Sequence, residues 1–129
     1  MRRVALTCCI ALLVAGCGED DETEQPASAP AVADLRVAVD RDGKGGQAAR
    51  TRTVRCAAAT DSPRCEKVAA LRLADLEPDR GAVACSQQYG GPETATITGT
   101  LRGERVDLKF SRVNGCEIAR WEAAGALLQ

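Results

Sequence analysis

Between Leu35 and Val39 the chain alternates, with Leu35, Val37 and Val39 on one side and Arg36 and Ala38 on the other. A period of two predicts a half-buried strand. Asp40 to Gln47, rich in glycine and charge, reads as the turn that follows, and Thr51 to Cys56 as a second strand. The period then changes. Cys65, Val68, Ala69, Leu73 and Leu76 recur at helical spacing, Ser62-Pro63 offers a capping hydroxyl and a first-turn proline, and Pro78 and Gly81 end the pattern. The spacing predicts one helix from Pro63 to Leu76, lying on a sheet.

The clearest local pattern is a hairpin from Thr94 to Ser111. With Arg102-Gly103 as a two-residue turn, antiparallel pairing sets Gly99 opposite Val106, Ile97 opposite Leu108 and Ala95 opposite Phe110 on one face. The other face carries Thr96, Thr98, Thr100, Arg105, Asp107 and Lys109. A slip of one residue exposes every apolar member, so the register is well specified. Asn114, three residues before Glu117, marks a helix start, with Ile118 and Trp121 spaced to pack on the sheet. Strands with helices gathered on one side make an α+β domain.

At 129 residues the chain has room for one domain, and its composition narrows what that domain can do. There is no histidine, so a Ser-His or Cys-His nucleophile pair, a histidine base and mixed Cys/His zinc cages are excluded. The carboxylates are scattered and no glycine-rich phosphate loop appears, so an enzyme has little support. Asp61, Asp75, Glu77 and Asp79 read as solvated faces and caps. A net charge of -1 argues against a nucleic-acid binder working through a large basic surface. What remains to be explained is seven cysteines.

The leader accounts for some of them. Arg2 and Arg3 precede an apolar run from Val4 to Val14, then small residues before Cys17: the order of charge, core and cleavage site in a secretory signal, with a run too short to span a bilayer. Val14-Ala15-Gly16-Cys17 resembles the lipobox of bacterial lipoproteins, which implies removal of residues 1–16 and a lipid anchor on Cys17, the protein's contact with the membrane. An ordinary signal with an incidental cysteine is the plainer alternative. Cys8 and Cys9 leave with the leader either way. Residues 17–31, with five acids, no base and almost nothing to bury, read as an acidic tether, and 32–129 as the folded domain. That domain holds thirteen acids and fifteen bases, interspersed.

Cys56, Cys65, Cys85 and Cys116 remain, an even number in an oxidising compartment, and two disulfides are the economical inference. Three pairings are open. A metal site normally draws on close C-x2-C pairs, which the chain lacks, so neither a metal nor any other cofactor is expected. Glu77 to Pro92, between helix and hairpin, has no strong periodicity and contains Cys85-Ser86-Gln87-Gln88-Tyr89-Gly90-Gly91-Pro92. Its plain reading is a connecting loop held down by its cysteine.

Cys85 with this loop, the hairpin Thr94 to Ser111, and Asn114-Gly115-Cys116-Glu117 look like the subtilisin inhibitor family of bacterial secreted proteins, over most of Leu35 to Leu128. The resemblance implies an α+β fold with a five-stranded antiparallel sheet and two helices on one side. It also implies disulfides Cys56 to Cys65 and Cys85 to Cys116, homodimers through the sheet face, and inhibition of subtilisin-like serine proteases outside the cell. Carried over by position, Ser86 is P2, Gln87 is P1 and Gln88 is P1′, with Tyr89 following, so the reactive bond is Gln87 to Gln88. Asn114 then supports the loop from below, in competition with its reading as a helix cap.

The chain departs from the family pattern in two places. Ser86 stands where a proline is common, and Gly90-Gly91-Pro92 where an Asp-Pro pair follows the tyrosine. Glycine raises the freedom of the unfolded loop and weakens preorganisation. The competing function is therefore a surface lipoprotein that keeps the inhibitor fold as a binding or structural module without inhibition.

Overall fold

The computed structural model describes residues 30–45, 49–81 and 83–129. The leader, Cys17 and most of the acidic tether lie outside the described residues. Four strands, β1 (Ala33–Asp40), β2 (Arg50–Cys56), β3 (Thr94–Leu101) and β4 (Glu104–Phe110), form an antiparallel sheet in the order β2-β1-β3-β4. Four short helices complete the α+β arrangement: α1 (Pro63–Ala69), α2 (Leu73–Leu76), α3 (Gly115–Ala123) and α4 (Gly125–Leu128). The fifth strand implied by the family resemblance is not among the described elements.

The alternation in β1 places Leu35 and Val37, almost fully buried, at the centre of the sheet, between Val54 of β2 and Ile97 of β3. The hairpin has the expected register, Gly99 opposite Val106, Ile97 opposite Leu108 and Ala95 opposite Phe110. Its turn explains why. Arg102 and Gly103 have φ values of 50° and 80°, and positive φ at both central residues gives the turn whose twist matches that of the strands it joins. The inner face of the sheet buries Ala33, Leu35, Val37, Ile97, Leu108 and Phe110 in one cluster with Val68 of α1, Leu76 of α2 and Leu127 of α4. The outer face is threonine and charge.

The helix expected from Pro63 to Leu76 is instead two. Ser62 caps α1 as anticipated, its Oγ accepting from the Cys65 N–H at 3.1 Å, with Pro63 as first residue. The helix then tightens, Leu71 N–H donating to the Val68 carbonyl at 3.2 Å, and Arg72 is extended with ψ 125°. At the break the carbonyl of Ala69, which ends α1, is taken by Arg102 Nη1 at 3.1 Å, where a continuous helix would give it to the Leu73 N–H. The carbonyl of Leu76, which ends α2, accepts two bonds from the Arg120 guanidinium, at 3.1 Å from Nε and 2.8 Å from Nη2. A helix continuing past Leu76 would use that carbonyl for itself.

Arg120 is the buried residue of α3, only 7% exposed, and apolar spacing gave no hint of it. Besides Leu76 it donates to the Lys109 carbonyl at 3.0 Å and to both oxygens of Glu117 at 2.8 Å, and it lies 4.9 Å from the centroid of the Phe110 ring. All its bonds are charge-assisted or to otherwise free carbonyls, the condition under which a buried cation is tolerated. Trp121 packs at the edge of the core as expected; Ile118 turns to the loop. At the far edge Arg52 of β2 reaches the Leu127 carbonyl.

Candidate functional site

Among the described residues from Glu77 to Glu93 there is neither helix nor strand, and this segment carries the candidate reactive bond. Two disulfides close the domain, Cys56 to Cys65 and Cys85 to Cys116, the pairing that the family resemblance implies. The first spans nine residues and joins the end of β2 to α1. The second spans 31 residues and fixes the loop to the first turn of α3.

The attachment of the loop is denser than one disulfide. Next to Cys85, the Ser86 carbonyl accepts from the Gly115 N–H at 3.0 Å, so neighbouring residues of the loop bind neighbouring residues of the helix start. Four residues on, the Gly90 N–H donates to the Arg112 carbonyl at 2.7 Å. The segment Arg112 to Cys116 is thus a strut gripping the loop at two points. Between those points Gln87, Gln88 and Tyr89 are exposed, Tyr89 at 64%. Gly115 permits the close approach, because a Cβ at that position would run into the Ser86 side chain.

Asn114 lies within the strut, and its described bond is that of a helix cap: Oδ1 accepts from the Glu117 N–H at 3.0 Å. The bonds to the loop backbone come from Gly115 and Arg112, on either side of it. Neither was marked out by the sequence. Gly115 had a weak signal in standing beside a cysteine, and Arg112 had none.

Underneath, an open groove of about 590 Å3 separates the loop from α2 and α3, lined in part by Asp75, Glu77, Ser86, Gln88, Gly115 and Ala119. The loop is an arch rather than a surface layer. Its upstream limb begins at Leu76, where Arg120 holds the chain to the sheet. Its downstream limb ends at Glu93, whose Oε1 accepts from Arg112 Nη1 at 3.1 Å with both side chains at most 30% exposed. The Arg112 guanidinium also lies 5.9 Å from the Trp121 ring centroid.

Two groups among the described residues have shifted pKa values, Asp40 and Arg52, and Asp40 sits beside the downstream end of the arch, opposite Thr94. The Asp40 carboxylate, 5% exposed, accepts from the Gly45 and Asp42 N–H groups. The Gly45 bond is the main reason its pKa lies below the ordinary carboxylate value, with burial opposing it. Chemically, the arch presents an exposed peptide bond, Gln87 to Gln88, whose two flanks are tied to one rigid support. No family description matches the chain, and no curated protein or solved structure matches it.

Proposed function

We propose that the protein is an inhibitor of subtilisin-like serine proteases that offers Gln87-Gln88 as a substrate-like bond in a fixed loop. The observation that carries this reading is the double attachment of the arch, through Cys85–Cys116 with Ser86 on Gly115 on one flank and Gly90 on Arg112 on the other. The two disulfides and the α+β fold support a subtilisin inhibitor-like domain, and the family resemblance of the loop and strut supplies the class of protease.

A serine protease holds an extended segment across its cleft, with P1 in a side pocket and the scissile carbonyl in the oxyanion hole. A loop already fixed at both flanks loses little conformational freedom on docking, which is where high affinity arises. Attack on the Gln87 carbonyl expels the Gln88 amine, which takes the proton that the protease histidine removed from the serine. The two halves remain tied to the strut, so the amine stays beside the ester and excludes water. Re-attack restores the peptide bond and returns the proton to the serine oxygen. Gln87 is neither basic nor large and apolar, which fits a broad side pocket better than a trypsin pocket with its buried acid.

The same reading places the domain outside the cell, tethered through a lipid on Cys17, and paired as a homodimer across the outer sheet face. Titration of subtilisin with the purified, disulfide-bonded protein tests its centre. The expected result is stoichiometric inhibition, with any cleaved protein cut only at Gln87-Gln88. Digestion at several sites with no loss of protease activity overturns it. Cleavage after Gln87 at ordinary substrate rates favours the non-inhibiting surface module instead.

A further inference from the structure

The glycine pair after Tyr89 is the departure that most weakens a preorganised loop, and the structure gives both glycines close neighbours. A Cβ on Gly90 would lie 2.9 Å from two side-chain carbons of Ile118 and 3.2 Å from Arg112 Nε. Gly91 has φ +137°, a conformation that L side chains rarely adopt, and a Cβ there would run into Glu93 Oε2. Those same two atoms, Arg112 Nε and Glu93 Oε2, are buried and have no hydrogen-bond partner among the described residues, while the other ends of the two side chains pair with each other. The ion pair is pressed onto the bare backbone of Gly90-Gly91, and only glycine leaves room for it.

We propose that Arg112 and Glu93 form a clamp on Gly90-Gly91 that holds the amine half of the loop in place after cleavage, so that Arg112 is a positioning residue for religation. This rests on the inhibitor reading. The acyl half is fixed one residue away by Ser86 and covalently at Cys85. The amine half begins at Gln88 and has no covalent staple before β3; its attachment there is the Gly90 N–H bond to the Arg112 carbonyl, which the clamp keeps in place. Anchored at Gly90, its new terminus hangs on two residues, a reach of about 7 Å; anchored only from Thr94, it hangs on six, a reach of about 20 Å. The volume open to the amine grows with the cube of that reach, so its concentration at the ester falls about twentyfold if the clamp is fully lost. Religation slows by that factor, whereas attack by water, which leaves a Gln87 carboxylate and a free Gln88 amine, does not.

The experiment compares the disulfide-bonded full chain with Arg112→Gln, Arg112→Lys and Glu93→Gln, using subtilisin as the probe. Mass measurement follows the single-cut form, heavier by one water, and hydrogen exchange follows the Gly90 amide in the free protein. The expected result is cutting at Gln87-Gln88 about tenfold faster in Arg112→Gln and Glu93→Gln, with inhibition that decays, faster Gly90 exchange, and partial recovery in Arg112→Lys. Unchanged cutting in both charge-removing variants overturns the clamp, and so does unchanged Gly90 exchange or a loss of thermal stability without faster cutting. Should the unaltered chain itself fail to inhibit subtilisin, the inhibitor reading falls, while Gly90 exchange still decides whether the pair holds the loop.

Discussion

Ser86 and Gly115 are joined by a 3.0 Å backbone hydrogen bond one residue away from the Cys85–Cys116 bridge, so loop and helix start run past each other with two consecutive attachments. The bridge prevents separation and the hydrogen bond sets rotation. A single bridge would leave the arch free to swivel.

Loss of the longer bridge is expected to cost the more. In the chain-entropy account, closing the 31-residue span is worth about 3.7 kcal/mol and the nine-residue span about 2.6 kcal/mol. Urea denaturation of Cys85→Ser/Cys116→Ser beside Cys56→Ser/Cys65→Ser is expected to show that order. The first variant is also expected to be cut by subtilisin as a substrate. The reverse order of stabilities would mean that native-state strain or residual unfolded structure outweighs span.

Asn114→Ala is expected to lower stability by about 1 kcal/mol, the ordinary worth of a helix cap, and Asn114→Ser to restore most of it. The rate of cutting at Gln87-Gln88 separates the two roles open to this residue. A cap leaves that rate unchanged. Faster cutting in Asn114→Ser, with stability recovered, would show that the side chain supports the loop after all.

Arg120→Ala removes every bond to Leu76, Lys109 and Glu117 and leaves half-buried Glu117 without its cation, a loss expected at about 3 to 5 kcal/mol by chemical denaturation. Arg120→Met, which fills the space over Phe110, is expected to recover part of it. If Arg120→Ala costs under about 1 kcal/mol, the network is no more than a surface pair.

Asp40 gives the fold an acid sensitivity with a definite sign. Its folded pKa is depressed, chiefly by the Gly45 N–H, so its contribution is complete above the unfolded value, about 3.9, and drains away as pH falls through the lower folded value. Thermal melts of Asp40→Asn and the unaltered protein are expected to differ most near neutrality and to converge below about pH 4. A constant gap across that range would assign the difference to lost hydrogen bonds alone.

On the inhibitor reading, Gln87→Lys is expected to turn the protein toward trypsin, whose buried acid prefers a basic P1 side chain, with the melting temperature unchanged because Gln87 is exposed and outside the core. Enzyme titrations with both proteases check the exchange. Equal affinity for trypsin before and after would show that Gln87 does not enter the specificity pocket.

What sequence revealed of this molecule follows what each signal measures. The hairpin was legible to the residue because period-two alternation and a two-residue turn fix register together, as at Ile97 and Leu108. The split between α1 and α2 was not, because spacing counts apolar side chains, whereas the Ala69 carbonyl at the break is taken by Arg102, 33 residues away in the chain. Arg120 itself was hidden for the same reason: a buried cation breaks the apolar pattern instead of joining it. In the candidate site, the cysteines stood out by residue type, whereas Gln87-Gln88 was reached only by position in the family resemblance. The backbone part of the grip, the Arg112 carbonyl and the Gly115 N–H, leaves no trace in side-chain identity.

The groove beneath the arch divides labour within the chain. No residue from Ser86 to Tyr89 belongs to the core formed around Leu35, Ile97 and Leu127. Substitutions there alter what the surface displays without disturbing what folds it, so this short stretch is a cassette whose display can change while the scaffold beneath it stays intact.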